Sequence, residues 1–175
     1  MEIKGEIYRV SGPVVTAEGI APRMYDVVLV GHEKLMGEVI GLDGDRTVIQ
    51  VYEDTSGIQP GEPVENTGAS LSVELGPGLL RSIYDGIQRP LPVLQESMGD
   101  YIQRGVTAPG LDHEAKWEFV PLAKKGDDVS GGTVLGTVQE TKTIVHKIMV
   151  PPLISGKIKA LKKGKYTIDD VIGIC

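Results

Sequence analysis

Residues 75–91 read LGPGLLRSIYDGIQRPL, and this stretch decides how the chain divides. The glycines on either side of Pro77 require a sharp turn at the end of an alternating apolar run that starts at Leu71. Apolar residues then recur with the spacing of one helical face: Leu79, Leu80, Ile83, Tyr84 and Ile87. Pro90 ends this pattern because proline has no N–H to donate and restricts the residue before it. The residues predict a strand over 70–75, a rigid turn and a two-turn helix over 79–87.

The composition favours short strands joined by tight turns. The 175 residues include 23 glycines and 11 prolines but one Phe and one Trp. No apolar run approaches the roughly 18 residues that span a bilayer, and residues 1–5 lack the apolar core of a signal peptide. Cys175 is the single cysteine, which excludes an intrachain disulfide.

Charge is distributed unevenly along the chain. Residues 1–111 contain 8 Lys and Arg against 16 Asp and Glu, a net charge of −8, whereas residues 112–175 contain 10 against 8, a net charge of +2. The two values sum to the −6 of the whole chain. Because the sequence pattern changes at the same place, we predict a domain boundary near residue 110.

Before residue 72 the chain shows six short strand patterns at about ten-residue spacing. Asp43-Gly44-Asp45, between the apolar runs 36–42 and 46–52, indicates a hairpin turn. Six such strands predict a small closed β-barrel over 1–72, because closure removes the exposed sheet edges.

After residue 110 the pattern is again one of short β-branched runs between glycine turns. Strands are predicted at 117–121, around 133–140 and at 144–150, followed by Ser155–Ile158. They predict a β half-barrel over 110–175. Residues 73–109 are predicted to be a connector, with a single helical turn between Pro92 and Gly105.

Three segments carry a family resemblance. The run GPGLLRSIYDGIQRPL (76–91) closely resembles the segment that joins the N-terminal barrel to the nucleotide domain in rotary ATPases, in particular in the catalytic A subunit of the archaeal and vacuolar types. Residues 46–51 and 53–57 resemble the family's VQVYEDTSGL region, with Ile58 where leucine is usual, and residues 99–105 resemble its GDFIxRG connector. The resemblance implies a mainly β chain: a six-stranded closed barrel, a short helical connector and a bulge domain similar to the biotinyl and lipoyl barrel-sandwich.

The resemblance also implies a function. It identifies the chain as the N-terminal part of the A subunit of an A-type/V-type ATP synthase, which makes or hydrolyses ATP coupled to proton or sodium translocation. This part is expected to serve ring assembly with B subunits and contacts with peripheral stalk subunits, in the cytoplasm and peripheral to the membrane, without membrane insertion. ATP and Mg belong to the parent subunit.

The 175 residues contain no GxxxxGK[ST] motif, so they lack the backbone cradle, lysine and hydroxyl that hold a nucleotide's phosphates and Mg²⁺. We therefore expect the chain by itself to be inactive, with no catalytic, cofactor-binding or metal-binding residue.

An alternative interpretation is a covalent carrier module with Lys142 as its modified lysine. The pattern GDxVxxGxxLGxVxE…SGxIxxI is also typical of biotinyl and lipoyl carriers. However, the residues around Lys142 read QETKT, which lacks the Ala-Met-Lys-Met or Asp-Lys-Ala collar of such domains.

Other charged groups favour structural roles. The five lysines within residues 157–165 are interleaved with aliphatic residues in an acidic chain, so a solvated face is expected and no nucleic-acid partner. The pairs Asp127-Asp128 and Asp169-Asp170 adjoin turns, where aspartate is common, and lack a converging calcium-ligand pattern. The three histidines, His32, His113 and His146, show no metal-ligand spacing.

A last expectation concerns order. The predicted helix and connector at 79–105 would pack in the parent against a nucleotide domain. We therefore expect them to be mobile or self-associating, while the two β modules are well ordered.

Overall fold

The computed structural model describes residues 4–99 and 103–174. It contains 43% strand and 7% helix, which confirms the mainly β prediction. The chain forms two compact units. The barrel unit comprises the described parts of Met1–Val73 and Leu94–Thr107, and the sandwich unit those of Glu74–Val93 and Ala108–Cys175. The residues of the predicted connector, 73–109, are thus shared between the units. Its residues Tyr101 and Ile102, like Cys175, lie outside the described residues.

The barrel unit contains six strands, which confirms the predicted closed barrel. They are β1 Lys4–Ser11, β2 Val14–Glu18, β3 Asp26–Val30, β4 Leu35–Asp43, β5 Arg46–Val51 and β6 Pro63–Ser70. The order around the barrel is β1-β2-β5-β4-β3-β6, and β6 pairs with β1 to close it. Asp43 and Arg46 face each other across the predicted hairpin turn.

Alternation along the strands builds the barrel core. On β5, Thr47, Ile49 and Val51 are buried, while Arg46 and Gln50 are exposed. The hydrophobic cluster of the interior is aliphatic: Ile7, Val15, Ala17, Ile20, Val28, Val30, Leu35, Val39, Ile49, Val51 and Val64. Burying each large aliphatic side chain stabilises the barrel by about 1.5–3 kcal/mol, so this interior is the unit's main source of stability.

The sandwich unit is built from eight shorter strands. They are β7 Trp117–Pro121, β8 Asp128–Ser130, β9 Val134–Gln139, β10 Val145–Met149, β11 Ser155–Lys157, β12 Ala160–Leu161, β13 Gly164–Tyr166 and β14 Gly173–Ile174. A four-stranded sheet has the order β10-β9-β7-β13, and β11-β8 and β12-β14 form two-stranded sheets. Phe119 is buried, with its ring edge-on to Tyr166 at 6.4 Å between centroids.

Two local predictions around the GPG turn are wrong. The strand over 70–75 does not form, because β6 ends at Ser70 and the apolar residues Leu71, Val73 and Leu75 are exposed. The helix over 79–87 does not form either. A single 3-10 turn spans Leu79–Arg81, and the one α-helix among the described residues, α1, spans Leu91–Met98.

The missing helix has a local cause at Asp85. Its side chain accepts hydrogen bonds from the backbone N–H groups of Ile87 and Arg89, at 3.0 and 2.9 Å. Asp85 N–H donates to the carbonyl of Arg89, and Tyr84 bridges Pro90. The Asp85 side chain gives these N–H groups an alternative to the hydrogen bonds of a helix, and Gly86 adds a residue of poor helix propensity. The segment therefore closes as a tight loop.

Candidate functional site

Several polar side-chain contacts hold the turn at Pro77–Arg81, which we call the anchored turn. It belongs to the sandwich unit. Glu140, directly after β9, is completely buried, and its Oε1 accepts hydrogen bonds from the N–H groups of Gly78 and Leu80, both at 2.9 Å. A carboxylate that receives two backbone N–H groups forms charge-assisted bonds, the stronger class of hydrogen bond. Glu140 thus ties this turn to the β9–β10 hairpin.

Arg81 makes the reciprocal contact. Its guanidinium donates to the main-chain carbonyl of Glu140 and lies 5.2 Å from the ring centroid of Trp117. The second distance is within the range of a cation–π interaction. The hairpin therefore binds the backbone of the anchored turn through the Glu140 side chain, and the turn binds the backbone of the hairpin through the Arg81 side chain.

Gly78 is required by this geometry. It has a φ of 106°, in the left-handed region, and a Cβ at this position would lie 3.2 Å from the Trp117 ring. A side chain here meets both backbone strain and a crowded neighbour.

Beyond the anchored turn, residues 83–91 are held by Asp85 and Arg89. The Arg89 Nε lies 2.7 Å from the Asp85 Oδ2. Burial acts to raise the pKa of Asp85, but the hydrogen bonds from the Arg89 N–H, the Arg89 guanidinium and the Ile87 N–H outweigh it and lower the pKa below its usual value. Asp85 therefore closes its own loop through hydrogen bonds and an ion pair with Arg89.

Glu74 and Gln88 hold the start of the same segment. The Gln88 side-chain amide donates to the Glu74 carbonyl at 2.7 Å and accepts from the Glu74 N–H at 2.6 Å. The Glu74 carboxylate accepts from the Leu111 N–H at 3.1 Å, and its other oxygen lies 3.4 Å from His113 Nε2. Residues 74–91 are thus attached to the rest of the sandwich unit by side chains from several points along the chain.

His113 lies between two carboxylates. Its Nδ1 is 2.8 Å from the Asp169 Oδ2. The hydrogen bond to Asp169, assisted by the charges of Asp169 and Glu74, raises the pKa of His113. The carboxylate of Asp169 thus serves as an ion-pair partner of His113.

The other end of the predicted connector is attached within the barrel unit. Arg104 donates to the carbonyls of Asp54 and Ser56 and pairs with Glu33 at 3.0 Å. The Gly105 N–H donates to the Glu53 carboxylate at 2.7 Å. The EDTSG segment and the RG pair, two separate stretches of the sequence, therefore meet in the structure.

The structure places the remaining charged candidates in turns or on the surface. Asp127 and Asp170 accept from the N–H groups of Lys124 and Thr167, both at 2.8 Å, and so close their own turns. The lysines of residues 157–165 are all exposed, and two pair with carboxylates: Lys157 with Asp128 at 3.9 Å and Lys163 with Glu118 at 3.1 Å.

The candidate modification and metal residues are also separated. Lys142 is exposed in the loop between β9 and β10. His32 is exposed, its N–H donating to Glu62 at 3.0 Å, and His146 is partly buried 3.4 Å from Glu140. Within residues 4–99 and 103–174, no group of three or more His, Cys, Asp or Glu side chains is arranged to hold a metal ion. No helix in the described part of the chain is both long and apolar enough to cross a bilayer.

Sequence reasoning missed Glu140, Gln88 and Arg104 as anchoring residues. Their partners are 59–62, 14 and 48–71 positions away along the chain. No local periodicity signals such contacts.

Comparison with known families gives the class of protein. Residues 7–68 match the beta-barrel domain of the ATP synthase alpha/beta family. Residues 108–174 match the barrel-sandwich domain of the ATP synthase alpha/beta subunit. The chain therefore belongs to the ATP synthase alpha/beta family, and the barrel followed by a barrel-sandwich is confirmed as its fold class.

The individual relatives are more specific. The chain is 66% identical over 172 residues to the A subunit of the A-type ATP synthase of Methanosarcina barkeri, covering 98% of this chain and 30% of the relative. It is 67% identical over 170 residues to the A subunit 1 of the A-type ATP synthase of Methanospirillum hungatei JF-1, covering 97% and 29%. The match to the A subunit of the Methanoculleus marisnigri A-type ATP synthase is 64% over 170 residues.

The chain thus corresponds to the N-terminal part of the A subunit of A-type ATP synthases and spans about 30% of the length of these relatives. By their name, the relatives are subunits of an ATP synthase complex. The carrier alternative with Lys142 is not supported, because the barrel-sandwich match is to the ATP synthase family.

Proposed function

We propose that this chain is the assembly part of the catalytic A subunit of an A-type/V-type ATP synthase, which makes or hydrolyses ATP coupled to proton or sodium translocation. The observation that carries the proposal is the match of both domains, in order, to A subunits over 96–98% of the chain. In this proposal the barrel packs beside the barrels of B subunits, and the sandwich unit contacts peripheral stalk subunits. The assembly lies in the cytoplasm, peripheral to the membrane.

The chemistry is assigned to the parent subunit. The 175 residues contain no phosphate-binding GxxxxGK[ST] motif, so ATP and Mg are proposed to bind outside them. Mg-ATP titrated calorimetrically into the purified chain is expected to give no micromolar binding. Micromolar affinity would contradict this division of roles.

The barrel offers a surface suited to a neighbouring subunit. Tyr25, Ile40 and Leu42 are 60%, 40% and 50% exposed. The Tyr25 N–H donates to the Val39 carbonyl, which places Tyr25 beside this part of β4. Exposed apolar side chains that lie together are typical of protein interaction sites.

The test is association with the purified B subunit of an A-type ATP synthase, measured by sedimentation velocity. The wild-type chain is expected to form a complex. Leu42→Glu should weaken it by roughly 10-fold or more, because a large apolar side chain loses its burial and a charge takes its place. Leu122→Glu, at a 61% exposed position of the sandwich unit, is the control and should leave the affinity unchanged. No binding by the wild-type chain would overturn the proposal.

A further inference from the structure

We propose that Glu140 is a positioning residue, whose carboxylate fixes the anchored turn Pro77–Arg81 on the hairpin between β9 and β10. The inference concerns contacts within the sandwich unit and does not depend on the proposed function. The distance along the chain, 62 residues from Gly78 to Glu140, makes this a tertiary rather than a local contact.

The turn needs an acceptor at this place. It is a single 3-10 turn closed by one bond, from the Arg81 N–H to the Gly78 carbonyl at 3.1 Å. The first N–H groups of a helical turn have no partner inside it. Glu140 Oε1 accepts from two N–H groups of this segment, those of Gly78 and Leu80, so a single side-chain atom defines where the turn begins.

The turn also makes a side-chain contact with the backbone of Glu140. The side chain of Arg81, at the end of the turn, donates to the main-chain carbonyl of Glu140. Gly78, at its beginning, lies against the Trp117 ring. Both ends of the turn are therefore held against Glu140 and Trp117, which fixes the orientation of the turn as well as its attachment.

Packing alone does not explain a glutamate here. Glu140 is 0% exposed, and a buried carboxylate is costly unless hydrogen bonds compensate for its lost hydration. Its Oε2 has no hydrogen-bond partner among the described residues, and His146 Nδ1 is 3.4 Å away. An apolar side chain would fill the space at lower cost, so the geometry assigns the carboxylate to the turn.

The experiment compares three variants of the 175-residue chain by NMR-detected amide exchange and Trp fluorescence. Glu140→Ala removes the acceptor. Glu140→Gln keeps an oxygen able to accept from both N–H groups, with an amide facing His146. Glu118→Ala is the matched control, since Glu118 is an exposed glutamate next to Trp117. Trp117 is the only tryptophan, so its emission reports on the turn directly.

Glu140→Ala is expected to speed exchange at Gly78 and Leu80 by at least about tenfold, because a charge-assisted hydrogen bond is lost at each amide. The Trp117 emission should shift with it. Glu140→Gln should remain within about threefold of wild type, since a neutral acceptor keeps most of the hydrogen-bond geometry, and Glu118→Ala should change neither reading.

Three results would overturn the proposal. The first is unchanged exchange in Glu140→Ala, and the second is a Glu140→Gln variant as fast as Glu140→Ala. The third is equal acceleration at Phe119 and Val138, which would indicate a general loss of packing. If Glu140→Ala does not fold, Arg81→Ala replaces it. It removes the hydrogen bond to the Glu140 carbonyl and the guanidinium over the Trp117 ring. It should speed Leu80 exchange by about threefold, since one side-chain hydrogen bond is lost, and it should shift the emission, since the ring loses its cation. No change in either reading would overturn the proposal.

Discussion

The barrel and the segment 74–93 reach order by different means. The barrel strands pair their backbone N–H and C=O groups in a hydrogen-bond ladder that closes into a barrel. Every second side chain along these strands points inward and fills the interior. Segment 74–93 has no ladder beyond the Tyr84–Pro90 bridge among the described residues. Its order comes from side chains: Glu140, Asp85, Gln88 and Arg81. A periodic sequence therefore specifies the first region, and individual side-chain contacts specify the second.

The largest expected effect on stability comes from a substitution in the barrel core. Ile49→Ala deletes a completely buried side chain of β5 and should destabilise the barrel unit by about 2–5 kcal/mol, through lost burial and the cavity left behind. Gln50→Ala, exposed on the same strand, should cost less than about 0.5 kcal/mol. Urea unfolding followed by the exchange of barrel amides measures both. Equal effects would contradict core-driven order.

The next effect tests the anchored turn. Gly78→Ala should destabilise the sandwich unit by about 1–3 kcal/mol, because alanine is strained at positive φ and its Cβ would crowd Trp117. Urea unfolding followed by the exchange of sandwich amides measures the loss. Gly86→Ala is the control in the same segment, since its added Cβ meets no atom within 4 Å. A similar loss in both variants would show that any glycine substitution weakens the segment.

A smaller effect concerns the loop of residues 83–91. Asp85→Ala should cost about 1 kcal/mol, as the loss of a side-chain acceptor for backbone N–H groups does at helix caps. The contribution of Asp85 also depends on pH. Since its folded pKa is lowered, the stabilisation is complete above the unfolded value near 3.9 and is lost as the pH falls through the lower folded value.

Amide exchange at Ile87 and Arg89, measured between about pH 2 and pH 6 to bracket the carboxyl titration, checks this dependence. The wild-type chain should lose protection at these amides at the acidic end, and Asp85→Ala should show no such transition. A transition of the same size in both chains would assign the pH effect to another group.

The smallest effect is at His113, which is partly exposed. Its folded pKa is raised, so the stabilisation is fully present below the unfolded value near 6.5 and is lost as the pH rises through the folded value. Asp169→Asn should lower the NMR titration midpoint of His113, because the hydrogen-bonded carboxylate is its main cause. An unchanged midpoint would remove Asp169 from the explanation.

Sequence patterns predicted the regions where order is periodic. The six barrel strands, the Asp43–Arg46 hairpin and the strands at 117–121 and 145–149 all follow from alternation and turn chemistry. The helix over 79–87 was wrong because apolar spacing alone does not account for an aspartate that binds the backbone N–H groups of its own loop. Glu140 could not be found at all, since its role depends on the tertiary approach of the β9–β10 hairpin to Gly78.

The central claim is that residues 74–91 are held in place as part of the sandwich unit, whereas the sequence alone predicted mobility or self-association for residues 79–105. Amide exchange on the wild-type chain as a dilute monomer tests it most directly. Gly78, Leu80 and Leu91 have acceptors in Glu140 and the Ile83 carbonyl, so we expect exchange to be slowed at least about 100-fold relative to the exposed hairpin residue Lys142. Exchange at these three amides as fast as at Lys142 would contradict the account.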